Sequence, residues 1–343
     1  MAGRGYREVR FEDLVMLVFQ SYRPPLDSPA NATLVVSKDT VFLVDAGALE
    51  FHRELIDKSI LYKPMAAFIT HYHWDHTLGL IGLLDRVGDI IVTASREAIS
   101  FLSDPEKPKN WAIKVFQAMG ISGVDDLSRM YESKFMVLYK RLVEKVNGRL
   151  KPLEEVATLA KKLGISYIQC PGHTTCHVCY KYKGILFAGD TVIPTTSPVI
   201  LNILSYVESL AKLVADNSWR LLVPGHGDIL DRHRAEVVIR GTLLRKLERL
   251  RTLVGLLASL DNSWLSFPKL VEALYGSSAN ILADFPKAYN LIGYVEPLES
   301  EGVLEINKSV SPWRLRLHSK KEAEEFLARL WDKAKPIMGG KAA

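Results

Sequence analysis

The sequence predicts an α/β protein with one large domain of strands and helices followed by a smaller, mostly helical one. Three observations carry that expectation. Residues 65–70 (MAAFIT) form a short apolar segment free of breakers, as a buried strand requires, and residues 41–44 and 186–188 look alike. Elsewhere apolar residues recur at helical spacing, most clearly Ile239, Leu243, Leu247, Leu250, Val254 and Leu257. Finally, 343 residues that are 48% hydrophobic and 24% charged make a globular chain long enough for more than one domain.

The strand at 65–70 runs directly into Thr70-His71-Tyr72-His73-Trp74-Asp75-His76, which holds four potential metal ligands. In an extended chain His71 and His73 point to one face, and a turn after them swings Asp75 and His76 to a second focus. The spacing therefore reads as two metal sites sharing one loop. Residues 77–84 (TLGLIGLL) then begin an apolar helix.

Four more segments each carry an isolated His or Asp, three of them after an apolar stretch and one in a Pro-Gly loop. They are VFLVDAG at 41–47, CPGHT at 170–174, LFAGDT at 186–191 and VPGHGD at 223–228. Taken singly, each is more often a turn or an ordinary loop. Five such blocks in order resemble the metallo-β-lactamase fold superfamily over roughly residues 10 to 230, with five of the nine His at its ligand positions.

That resemblance implies an αββα sandwich over residues 1–230, with a helical insertion at about 104–150. It assigns His71, His73 and His173 to one metal, Asp75, His76 and His226 to a second, and Asp190 to the bridge. Imidazole with carboxylate suits Zn2+, with Fe or Mn as alternatives, so two divalent cations are expected. Two such ions acidify a shared water and supply a hydroxide nucleophile without Ser or Cys. Asp75 is the expected catalytic proton carrier, and Asp45 the residue that orients a ligand His.

Departures from relatives narrow the chemistry. His73 stands where the di-iron flavoprotein branch carries an acid, which disfavours oxygen or NO reduction. Asp190 stands where true β-lactamases commonly carry Cys, and Thr191-Val192-Ile193-Pro194 lacks the Tyr of one lactonase branch. The expected substrate is a small carboxylic ester or thioester, as for glyoxalase II, with single-stranded RNA cleavage as the alternative. A non-catalytic binding protein on the same fold would be expected to have lost a ligand.

Within the insertion, residues 111–119 suggest a short helix stopped by Gly120, and Leu127, Tyr131, Phe135, Leu138, Leu142 and Val146 mark a helix face over about 124–146. These helices are either a lid or ordinary core. Cys170, Cys176 and Cys179 crowd the His173 loop, where a thiolate site with His177 competes with buried reduced thiols; in a strand, His177 and Cys179 share a face.

Residues 231–343 are expected to form a winged-helix-like domain: the long helix at 239–257, a short helix from Ser266 through Tyr275, a mostly helical stretch from Asn280 to Leu298, and a two-stranded wing at 302–307 and 313–317. The helix before the wing, 284–299, carries Lys287 against Asp284, Glu296 and Glu299, a poor footprint for duplex DNA. A basic run from Arg232 through Arg234, Arg240, Arg245, Lys246, Arg249 and Arg251 is instead a solvated face or an attractor for an anionic substrate or RNA. Net charge is only +5. Apolar runs such as 14–19 are too short to span a bilayer, and no leader pattern opens the chain, so a cytoplasmic protein is expected. Asn31-Ala32-Thr33 is then only a formal glycosylation match, and a homo-oligomer is compatible with the sequence.

Overall fold

In a computed structural model, residues 6–23, 26–50, 52–88, 90–121, 135–277 and 281–339 are described. The first sheet holds β1 (Tyr6–Phe11), β2 (Leu14–Arg23), β3 (Leu26–Val36), β4 (Val41–Val44), β5 (Ala66–Phe68), β6 (Ile91–Ala94) and β7 (Leu150–Pro152), in that order. Pairing is antiparallel from β1 to β4 and parallel from β4 to β7. Parallel neighbours need crossovers, supplied by α1 (Arg53–Tyr62), α2 (Trp74–Thr77), α3 (Leu80–Arg86), α4 (Arg96–Leu102), α5 (Glu106–Met119) and α6 (Phe135–Val146). After α7 (Ala157–Leu163) comes the second sheet of β8 (Ser166–Gln169), β9 (Val178–Tyr182), β10 (Ile185–Gly189), β11 (Leu221–Pro224) and β12 (Leu230–Asp231), with α8 (Ile203–Ala215) between β10 and β11.

Strand alternation builds the layers. Phe42 and Val44 face the second sheet, where Phe42 meets Tyr182 and Phe187 edge-on beside its sheet neighbour Phe68, while Leu43 faces outward under helices. The outer cluster of the first sheet adds Leu55, Leu83, Tyr139 and Leu142. This is an αββα sandwich, apolar on both faces of both sheets.

Beyond β12 lie α9 (Arg232–Ala258), β13 (Leu265–Ser266), α10 (Phe267–Tyr275), α11 (Ile281–Ser300), β14 (Leu304–Asn307), β15 (Arg314–Leu317) and α12 (Lys320–Met338). Asp231 caps α9 by accepting from the Arg234 amide. The expected two-stranded wing has a third strand, because β13 pairs with β15 on the side away from β14. Leu243, Leu291, Leu315 and Phe326 join Leu186 and Leu222 of the second sheet in one continuous apolar cluster. α12 packs on α8 and α9.

One local expectation changes and two others gain detail. The helix expected from residue 77 is split into α2 and α3 at Gly79, whose amide bonds Gly47 O at 3.1 Å and which packs so closely on Ala46 that the Ala46 carbonyl oxygen would sit 1.9 Å from any Cβ. Of the helix expected over 124–146, residues 135–146 are helical, while Leu127 and Tyr131 lie outside the described residues. The insertion also divides its loyalties: α6 packs on α3, whereas α5 turns to the C-terminal helices through Trp111 on Tyr289 (5.5 Å), Phe116 on Phe285 (5.6 Å) and a 2.7 Å Lys114–Glu296 ion pair. Among the described residues no helix is long and apolar enough to cross a membrane.

Candidate metal centre

Every expected ligand sits just beyond the C-terminal end of a strand. β5 releases an extended stretch that carries His71 and His73 with ring centroids 4.6 Å apart, and the turn of α2 brings in Asp75 and His76. His173 follows β8, Asp190 follows β10 and His226 follows β11. Ligand atoms of His71, His73, His173 and Asp190 lie within 4.8 Å of one another, and so do those of Asp75, His76 and His226.

Asp190 joins the two groups. Its Oδ1 lies 3.2 Å from His76 Nε2 and 3.3 Å from His226 Nε2, while its Oδ2 lies 3.5 Å from His173 Nε2. Asp75 Oδ2 is 3.4 Å from His226 Nε2, and His173 Nε2 is 3.0 Å from His73 Nδ1. His71 Nε2, His76 Nε2 and Asp190 Oδ1 are buried without a hydrogen bond. Each such atom costs roughly 1–3 kcal/mol when left unbonded, so their convergence fits a cation between them. Nitrogen and carboxylate donors of this kind suit borderline divalent ions.

A second ring of residues aims these donors. Asp45, in the left-handed region at φ 53°, accepts from the Thr70 amide at 2.8 Å through Oδ1 and lies 2.8 Å from His76 Nδ1 through Oδ2. Nδ1 of His173 is held by the Val199 carbonyl at 2.7 Å. Holding Nδ1 leaves the Nε2 lone pair for the site. Gly225 is required by space, since a Cβ there would lie 2.1 Å from Asp190 Oδ1.

Two residues in this ring have roles other than those expected: His177, weighed above for a thiolate site, and Asn31, weighed above only as a formal glycosylation match. His177 stacks on His71 at 4.9 Å and accepts the Asp190 amide at Nε2 (3.1 Å), which sets the Asp190 turn. Its nearness to His173 in the chain was the available signal. Asn31 donates from Nδ2 to Pro224 O and Gly227 O, both at 2.9 Å, bracketing His226. No local pattern marks it. The three cysteines are buried and free, with Cys179 Sγ 3.6 Å from Ala188 O and Thr191 Oγ1.

Electrostatics separate the two groups. Burial drives His71 well below the ordinary imidazole range and, with His173 beside it, takes His73 to about 3. Burial opposes charge on His76 and His226 as well, yet Asp190 with Asp45 and Asp75 raises His76 well above its ordinary value, and Asp190 and Asp75 hold His226 at about 10. Burial likewise resists ionisation of Asp75 and Asp190, but the adjacent imidazoles lower both.

The start of the basic run on α9 lies away from the donors. β12 is antiparallel to β11, so it returns the chain to Leu221, the end of β11 remote from His226, before α9 begins. There Arg232 bonds Val214 O, Asp216 O and Glu236 and lies 3.9 Å over the Trp219 ring, and Arg240 bonds Glu236 and Ile337 O. These guanidinium groups are engaged in structural contacts.

Residues 26–226 match the sequence model of the Metallo-beta-lactamase superfamily. The chain belongs to that superfamily. Superfamily relatives include the Beta-lactamase-like protein 2 homolog of Drosophila melanogaster, 27% identical over 147 residues, which are 42% of this chain and 49% of the relative. The Hydroxyacylglutathione hydrolase of Hydrogenovibrio crunogenus is 24% identical over 160 residues, 46% of this chain and 43% of that protein. The chain thus spans about half the length of the curated relatives it matches. A crystal structure of a metallo-beta-lactamase family protein from Thermus thermophilus superposes with a TM-score of 0.62 at 20% identity, covering 90% of this chain and 99% of that one.

Proposed function

We propose that the protein is a dinuclear metal-dependent hydrolase that cleaves a small carboxylic ester or thioester. The observation that carries this reading is the placement of Asp190, whose two carboxylate oxygens address separate groups of donors. His71, His73 and His173 would hold one ion and Asp75, His76 and His226 the other, with Asp190 shared and Zn2+ the expected metal. Bound there, the ions supply Lewis acidity and acidify a water at neutral pH.

The chain's own residues do the remaining work. Asp75, ionised beside His226, is placed to take up a proton at Oδ2 and return it to the leaving group. Asp45 and the Val199 carbonyl keep His76 and His173 in one tautomer. We assign residues 1–230 to the catalytic domain and 231–343 to a C-terminal domain that packs Phe285 and Tyr289 against α5. A thioester is favoured over RNA because a relative is named for hydroxyacylglutathione hydrolysis, and because Arg232 and Arg240 are unavailable as a phosphate track.

Zinc-loaded protein assayed against thioesters, lactones, phosphodiesters and single-stranded RNA tests the proposal. Ester or thioester turnover is expected to be fastest. RNA cleavage alongside no esterase or thioesterase activity would reverse the assignment.

A further inference from the structure

Lys246 is 1% exposed in the middle of α9, and among the described residues no carboxylate pairs with it. Removing an ammonium from water is costly unless its protons are bonded, so its partners carry information. Nζ donates to Pro198 O at 2.5 Å and to Asn290 Oδ1 at 3.2 Å. Asn290, buried on α11, accepts the Ile200 amide at 3.0 Å on the same oxygen and donates to the Tyr275 hydroxyl at 2.8 Å.

The two side chains therefore grip the backbone on either side of Val199. Between those grips, the Val199 carbonyl is the acceptor for Nδ1 of His173. The loop is closed from two further directions. Leu201 and Asn202 amides bond Gly172 O, next to His173, and a Cβ on Gly293 of α11 would lie 2.0 Å from Ile200 O. Helices from the C-terminal region thus reach the metal centre through one three-residue stretch.

We infer that Lys246 and Asn290 are positioning residues of the metal centre: by clamping residues 198–200 they keep the proton of His173 on Nδ1 and its Nε2 lone pair aimed at the site. This rests on the assignment of His173 as a ligand. A Met at 246 would fill the volume of the lysine stem but leave the Pro198 carbonyl buried and unbonded, so the loop would move and release the imidazole. The long reach of lysine is what allows a helix to bond that carbonyl from below.

The test uses the metal-free full chain with 15N-labelled histidine. Wild type should show His173 as a single Nδ1–H tautomer in 15N–1H correlation spectra, whereas Lys246→Met and Asn290→Leu should show a mixture with the Nε2–H form. Asn290→Asp keeps the acceptor oxygen for Ile200 and Lys246 and should retain the wild-type tautomer. On titration with Co2+, the two disruptive variants should bind the ion at the His71, His73, His173 group 10- to 100-fold more weakly, with an altered visible spectrum. If Lys246→Met does not fold, Asn290→Leu, which removes the acceptor for the Ile200 amide and for Lys246, decides the matter by the same readouts. Folded variants with an unchanged His173 tautomer and unchanged Co2+ affinity would overturn the inference. Wild type that binds no Co2+ would instead sink the metal assignment, while the tautomer spectra still decide the positioning claim.

Discussion

Oδ2 of Asp45 lies 2.8 Å from Nδ1 of His76, and Oδ1 of the same carboxylate accepts the amide of Thr70 at 2.8 Å. One side chain at the end of β4 thereby anchors both the start of the ligand loop and one of its imidazoles. Asp45→Ala should weaken metal at the Asp75, His76, His226 group by 10- to 100-fold, the usual effect of losing an orienting carboxylate. Asp190→Ala should act more severely, because it removes a donor common to both groups. Elemental analysis after zinc supplementation and dialysis should give about two ions per chain in wild type. One ion or fewer in wild type would refute paired sites.

Metal uptake should release protons. His226 is held at about 10 and His76 well above the ordinary imidazole value, so both are charged at neutral pH before metal arrives. A ligating imidazole must be neutral, so roughly two protons leave when both are engaged. Affinity should consequently rise with pH across the neutral range. Calorimetry of Zn2+ binding in two buffers of different ionisation enthalpy measures the release directly, and a heat independent of buffer would contradict it.

Gly225→Ala should abolish metal binding while leaving the sandwich folded. The new Cβ would meet Asp190 Oδ1 at 2.1 Å and His76 Cε1 at 2.8 Å, and neither group has room to retreat. Gly255→Ala is the control, since nothing lies within 4 Å of its Cβ position on α9, and it should stabilise that helix by about 1 kcal/mol. Measured side by side, Gly225→Ala should lose its metal, whereas Gly255→Ala should keep it and unfold at a higher temperature.

Stability should depend on Lys246 above neutral pH. Burial, with Arg249 and Arg245 nearby, lowers its pKa from 10.5 to about 7. Between those values the unfolded chain binds more protons than the folded one at this position, so its contribution to stability grows as pH rises from about 7 towards 10.5 and is absent below. The slope from this group is at most about 1.4 kcal/mol per pH unit. Denaturant unfolding across that window should show the increment in wild type and lose it in Lys246→Met; equal pH profiles would remove the case for a depressed lysine.

The layered α/β architecture and seven candidate donors were readable because both are written in short-range patterns. Period-two and helical spacing depend on neighbours in the chain, and most donors follow an apolar strand, as at His71 to His76 and at Asp190, while His173 was legible through its resemblance to the superfamily's Pro-Gly-His loop. The break at Gly79 and the third strand of the small sheet were not readable, since one lies at a close contact with Ala46 and the other depends on β13 meeting β15 across about fifty residues.

By itself, then, the sequence determined which residues could ligate a metal and which strands deliver them, since ligand chemistry and strand periodicity are properties of short segments. Only the tertiary structure decided what aims those ligands and where the basic residues go. Asn31 reaches Pro224 across 193 positions, Lys246 reaches Pro198 across 48, and the antiparallel turn of β12 carries Arg232 to the end of β11 remote from the site. Each of these contacts joins a buried polar group to a backbone carbonyl or fixes a strand direction, and such pairings are settled only when the two sheets and the C-terminal helices close on one another.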